Sequence, residues 1–252
     1  MMPPIRNARA LATTFALSAI TGCGASRRVT TAPVPVAATA PAPRNDIHWF
    51  RSSAEYRGIA LEVYRSAAEH LLGLIRDQRA GTWAVILDAD ETVLDNSLSE
   101  RRDADLGRAY SETAWAAWVR ESAATAIPGA VDFTRQVHAL GGKVVIVSNR
   151  PDSLCAPTRE NLTKIGVAAD MVLCGPAGVT DKNPRFERVQ QGTAVPGVPP
   201  LHVVEWIGDN IEDFPALRQS VRSTPDGYRD FGVKYFLLPN PMYGSWVRNA
   251  EP

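Results

Sequence analysis

Trp83-Ala84-Val85-Ile86-Leu87-Asp88-Ala89-Asp90-Glu91-Thr92 is the stretch from which the fold can be read. Its first half is a short apolar run, the pattern of a buried strand. Its second half sets two carboxylates two residues apart at the strand's carboxyl end. In an extended chain residues i and i+2 point to the same side, so Asp88 and Asp90 can face one pocket. Neighbouring acids are costly unless a cation or a shared proton relieves them. That cost points to chemistry in which one carboxylate attacks an electrophile, the other moves protons, and a divalent metal holds the pair. Asp-x-Asp pairs also serve ordinary turns, where Asp accepts backbone bonds, so the rest of the chain must decide.

Three downstream segments repeat the pattern of an apolar strand followed by polar groups. Lys143-Val144-Val145-Ile146-Val147 leads into Ser148-Asn149-Arg150, a hydroxyl and an amide suited to an oxyanion. Met171-Val172-Leu173 is followed by the loop Asp181-Lys182-Asn183. Val203-Val204-Glu205-Trp206-Ile207 runs into Gly208-Asp209-Asn210-Ile211-Glu212-Asp213, where Gly208 permits a tight turn and two acids stand four residues apart.

Five runs read as strands, 82–87, 143–147, 169–173, 202–207 and 233–238. Ala60, Val63, Tyr64, Ala67, Leu71, Leu74 and Ile75 recur at helical spacing ahead of the first strand, and a second helix is expected over 132–140, closed by Gly141-Gly142. Alternating strands and helices imply an α/β fold, a parallel sheet flanked by helices. Ligands of such folds bind beyond the carboxyl ends of the strands, where all four polar segments fall. The stretch from about 98 to 127, with Trp115 and Trp118, is longer than one crossover needs and is expected to form a small helical cap inserted after the first strand.

The four segments resemble the motifs of the haloacid dehalogenase superfamily of phosphotransferases. The chain is more closely similar to the class C bacterial acid phosphatases, the family of outer-membrane lipoprotein e, which hydrolyse 5′-nucleotides. Trp49-Phe50, Ser53-Ala54-Glu55-Tyr56, Trp115-Ala116-Ala117-Trp118-Val119, Ala126-Ile127-Pro128-Gly129-Ala130 and Leu238-Pro239-Asn240-Pro241-Met242-Tyr243-Gly244-Ser245-Trp246 carry the resemblance from about 47 to 247. Ala89, Ser99 and Glu205 depart from it: Leu or Ile, an aromatic, and Leu or Met are usual at these places.

The resemblance implies a Rossmann-like sheet and a metal-dependent phosphomonoesterase. Asp88 would be the nucleophile and Asp90 the general acid and base. One Mg²⁺ per chain would be held by Asp88, the backbone carbonyl of Asp90 and Asp209, with Asp213 nearby. Lys182 and Ser148 would bind the phosphoryl oxygens, supported by Asn149, and Thr92 would support the loop. Trp115 and Tyr243 fall where the family's aromatic pair stacks on a nucleobase. A homodimer is plausible by the same analogy. The competing reading is a non-catalytic surface lipoprotein that binds a nucleotide or haem, but such a protein has no need of Asp90 beside Asp88.

Residues 1–22 read as a lipoprotein signal peptide, with Arg6 and Arg9 ahead of an apolar stretch too short to span a bilayer. Ile20-Thr21-Gly22-Cys23 resembles a lipobox, making Cys23 the lipidated first residue of the mature protein. Residues 23–46 are rich in Ala and Pro and form a tether of up to roughly 70 Å. The phosphatase domain then occupies 47–252. Gly24, rather than Asp, implies a bacterial outer-membrane anchor by the resemblance.

The 27 basic and 27 acidic residues balance, which argues against nucleic acid or a polybasic membrane surface as partner. The four histidines are scattered, with no zinc spacing, and His138 is expected on a helix flank. Cys155 and Cys174 could bridge in an oxidising compartment. The preferred reading is two buried reduced thiols, because Cys155 begins a helix and Cys174 ends a strand.

Overall fold

The structure, a computed structural model, describes residues 44–250. The signal segment, Cys23 and nearly all of the tether lie outside the described residues.

The chain opens with helices α1 (Asn45–Ser52) and α2 (Ala54–Leu74). Ser53 between them starts α2, its hydroxyl accepting the Tyr56 N–H at 3.0 Å. The strands β1 (Trp83–Leu87), β4 (Lys143–Pro151), β5 (Met171–Gly175), β6 (His202–Gly208) and β7 (Tyr235–Leu237) form one sheet in the order β5-β4-β1-β6-β7, with every pairing parallel. β1 is the central strand. Its Val85 and Leu87 enter a core shared with α2 and with α5 (Ala130–Ala139); Ala84 and Ile86 enter a second core with α7 (Asn183–Gln190). Burial on both faces is why the strand reads as an unbroken apolar run.

The insertion after β1 has a defined base. Strands β2 (Leu94–Asp95) and β3 (Thr125–Ala126) pair antiparallel, and between them lie α3 (Ser97–Asp105) and α4 (Glu112–Glu121). The α/β fold and the expected cap are therefore both present. Among the described residues no helix is long and apolar enough to cross a membrane.

Two expectations need correction. β4 runs on to Pro151, so Ser148, Asn149 and Arg150 are strand residues rather than residues beyond the strand. Cys155 and Cys174 are not reduced thiols but form a disulfide, with Cα atoms 5.8 Å apart. β4 and β5 are parallel neighbours paired at Pro151 and Gly175, so the start of α6 (Cys155–Lys164) lies beside the end of β5. Sequence position cannot show that adjacency. Closing a loop of 19 residues is worth about 3 kcal/mol. Reduction, or Cys155→Ser with Cys174→Ser, is expected to lower Tm by several degrees in a thermal melt.

Glu205, on β6, is fully buried, and neither carboxyl oxygen has a hydrogen-bond partner. Burial pushes this carboxyl up from 4.5 to about 9. Below pH 4.5 it is protonated in folded and unfolded chains alike; above that the unfolded chain releases a proton that the folded chain keeps until about pH 9. Stability is therefore expected to fall as pH rises through this window. Glu205→Met should flatten that dependence and add about 1–3 kcal/mol near pH 8 by removing unsatisfied polar atoms, as read from melts at pH 5 and pH 8.

Candidate active site

The residues gathered at the carboxyl end of the sheet come from β1, β4, the start of α7 and the end of β6. The Asp88 N–H bonds to the Ile207 carbonyl at 2.9 Å, which fixes the nucleophile candidate to the neighbouring strand. The chain then turns back sharply. Val93 and Leu94 both donate to the Ala89 carbonyl, at 3.0 and 2.8 Å, and Glu91 takes a left-handed φ of 52°. Glu91 is buried and accepts the Asn96 N–H at 2.8 Å, so the turn is held from inside.

Lys182 ends the loop before α7, whose first turn contains Pro184, a residue suited to a helix start. Its buried ammonium donates to Asp88 Oδ1 and, at 2.6 Å, to Asp213 Oδ1. Asp213 lies in the short turn Ile211–Asp213, where its Oδ2 accepts the Asn210 N–H at 2.9 Å and the Asn210 side chain accepts the Glu212 N–H at 3.1 Å. Gly208 does not have a positive φ. Its function is room: a Cβ there would collide with the Asp213 side chain. Asp209 accepts from Thr92 Oγ1 at 3.1 Å and from Asn240 Nδ2 at 2.9 Å.

Asp88, Asp209 and Asp213 each offer a carboxylate oxygen within 4.8 Å of the others. Two buried acids, Asp88 and Asp213, and the partly buried Asp209 face one ammonium, leaving net negative charge in a site largely shielded from water. Burial raises the Asp88 carboxyl to about 7 against the opposing pull of Lys182. Burial, then Asp213 and Asp88, raise Asp209 well above its ordinary value. Lys182 is held protonated by Asp213 and Asp88 despite its burial. Hard oxygen donors with excess negative charge fit a divalent cation, and these residues can hold one.

Ser148 is buried, and its Oγ accepts the Arg150 N–H at 3.1 Å. Asn149 is exposed, and its Oδ1 accepts from Arg185 Nη2 at 2.6 Å. Arg185 also donates to the Ser148 carbonyl, so one buried guanidinium underpins both oxyanion candidates. Gly175 leaves the space, since a Cβ there would lie 3.0 Å from Arg185 Nη1. Asp90 turns away from the three-acid cluster towards Arg150 and Asn96.

Beyond Asp90 opens a cavity of about 490 Å³ beneath the cap. Trp115, Tyr243, Tyr110 and Met242 line it together with Asn149 and Arg150. Trp115 and Tyr243 also pack against the main core, so each anchors structure while presenting surface to the cavity. His138 bonds Asp170 at 2.8 Å on the flank of α5, away from these groups.

Sequence reasoning gave no role to Arg150, Asn96, Arg185 or Asn240. Arg150 and Asn240 lie inside stretches already singled out. The usable signal for Arg150 was its place in the polar stretch that continues the apolar run 143–147.

The family model of the HAD superfamily, subfamily IIIB (acid phosphatase), matches residues 10–246. Among solved structures, the class C acid phosphatase from Bacillus anthracis with tungstate bound is 28% identical, with a TM-score of 0.72 over 80% of this chain and 85% of that one. A further structure of the class C acid phosphatase from Bacillus anthracis is 28% identical, with a TM-score of 0.71 and the same shares covered.

Proposed function

Since the chain belongs to HAD subfamily IIIB, the acid phosphatases, we propose that it is a metal-dependent 5′-nucleotidase working through an aspartyl-phosphate on Asp88. The observation that carries the reading is Asp88 at the end of the central strand, bonded to Lys182 beside Asp209 and Asp213, with Asp90 two residues on. Asp88 attacks phosphorus in line, the ester P–O bond breaks, and Asp90 gives its proton to the departing oxygen. Asp90 then takes a proton from the water that cleaves the aspartyl-phosphate. Lys182, Ser148 and Asn149 bind the phosphoryl oxygens, in a reaction that depends mostly on positioning and charge. Asp88, Asp209, Asp213 and the Asp90 carbonyl would hold Mg²⁺, whose charge would offset that of the phosphoryl group.

The nucleobase stacks on Trp115 and Tyr243, which supports broad tolerance of base identity. Tyr110 supplies a further aromatic to the same cavity. Lipidation of Cys23 would tether the domain to the outer membrane, and mass spectrometry of the mature N-terminal peptide tests this. The homodimer implied by resemblance is tested by light scattering. No observation favours a ligand-binding protein without turnover.

The deciding assay is hydrolysis of AMP and p-nitrophenyl phosphate by the full-length chain in detergent, with Mg²⁺ and with EDTA. Both activities are expected with Mg²⁺ and neither with EDTA. Trp115→Ala and Tyr243→Ala are each expected to lower kcat/KM for AMP by about 5- to 100-fold, leaving the aryl ester nearly unchanged. Activity that survives EDTA, or equal losses on both esters, would remove the metal or the stacking pair from the mechanism.

A further inference from the structure

Arg150 is a charged residue whose side chain is 1% exposed, and the groups around it are unusual for a buried arginine. Its Nη2 donates to Asp90 Oδ1 at 2.6 Å, and its Nε reaches Oδ1 at 3.0 Å and Oδ2 at 3.2 Å. Asn96 Nδ2 adds a third donor group to Oδ1 at 2.8 Å. The two oxygens of Asp90 are therefore not equivalent. Oδ1 accepts three hydrogen bonds, while Oδ2 accepts one long one and keeps capacity to spare.

The guanidinium is itself fixed from several sides. Nη1 donates to Thr158 Oγ1 on α6 at 3.1 Å, and Nη2 donates to Asn96 Oδ1 at 3.2 Å. The Trp115 ring of α4 lies 5.3 Å from its central carbon. Trp118, also on α4, donates from Nε1 to the same Asn96 oxygen at 2.9 Å. Core strand, flanking helix and cap all meet on one planar group.

We propose that Arg150 is a positioning residue for the phosphatase reaction, anchoring Asp90 through Oδ1 so that Oδ2 is the oxygen that exchanges the proton. The proposal rests on the reading of Asp90 as the general acid. In the first half-reaction the bond from Asp88 to phosphorus forms and the ester P–O bond breaks. The electron pair stays on the departing oxygen, which takes the proton from Asp90 Oδ2. In the second, water attacks phosphorus, the Asp88–phosphorus bond breaks with its electron pair returning to Asp88, and the water proton passes to Oδ2. A carboxyl free to rotate would present the proton in the wrong direction part of the time; the arginine fork removes that freedom.

The test is the single-turnover rate of alcohol release by the full chain from AMP, whose alkoxide needs a proton, and from p-nitrophenyl phosphate, whose phenolate leaves without one. Arg150→Met is expected to slow AMP by about 100-fold and the aryl ester by only a few-fold. Arg150→Lys keeps the charge but not the fork and should show the same selective loss, which serves if the methionine variant does not fold. In an Asp90→Asn background either change should cost nothing more on AMP. Equal losses on both esters, or an undiminished loss in that background, would overturn the proposal. If Asp90→Asn alone shows no dependence on the leaving group, the general-acid reading fails and takes this inference with it. If Asp90→Asn is selective and Arg150→Lys is not, only the inference fails.

Discussion

Asp88→Asn is expected to lower turnover by about four orders of magnitude or more while leaving the fold intact. The amide keeps the shape of the side chain but cannot supply the attacking oxygen anion. The stability half of the prediction follows from charge. Asp88 belongs to a group of three acids, two of them buried, facing one Lys182, and its carboxyl is already pushed up to about 7 by burial. Removing one of these negative charges relieves the others, and Lys182 keeps Asp213 as its partner at 2.6 Å. Tm should therefore hold or rise. Phosphate release and a thermal melt on the same preparation check both halves. Full activity in this variant would discard the aspartyl-phosphate mechanism.

Lys182→Met should act on both readouts in the same direction. Without the ammonium, Asp88 and Asp213 lose their shared donor and the three-acid cluster loses the positive charge bonded to it. Breaking a buried ion pair by removing one partner costs about 3–5 kcal/mol. Loss of the charge that faces the phosphoryl oxygens should cost about 10²- to 10³-fold in kcat. Melts with and without Mg²⁺ provide the check: if the three acids hold the ion, Mg²⁺ should recover part of the lost Tm in Lys182→Met. A variant with unchanged Tm in EDTA would show that the lysine has no structural part.

How much of this was legible in the sequence depended on what hydropathy can register. The five strands of the main sheet show as apolar runs, most plainly the central β1, whose residues are buried on both faces, while Leu237 on the edge strand β7 is apolar yet exposed. The end of β4 was missed because Ser148, Asn149 and Arg150 are polar, although Ser148 and Arg150 are buried. Helix α1 is only 8 residues long and buries just Ile47 and Phe50, too few to establish a period.

In the site, the acids and Lys182 were visible because their positions after strands are chemically expensive and therefore conspicuous. Their partners were not. Arg150 and Arg185 look in sequence like solvated surface charges, and only the fold shows Arg150 enclosed by Thr158 and Asp90, 8 and 60 residues away, and Arg185 by Asn149 and Ser148, 36 and 37 residues away. Gly208 was read as a turn residue, whereas its missing Cβ makes room for a side chain five positions later. Glu205 gave no sign that it lacks partners, since absence of a hydrogen bond is a property of three-dimensional surroundings.

The bond between Cys155 and Cys174 makes the protein a record of where it was folded. A chain assembled among reduced thiols differs from the bonded one by two hydrogens and has the same sequence and the same catalytic groups. Two such batches would carry the same active-site groups into an ordinary assay and would differ on heating. Counting alkylatable thiols in the denatured chain, rather than measuring rate, is what would tell them apart.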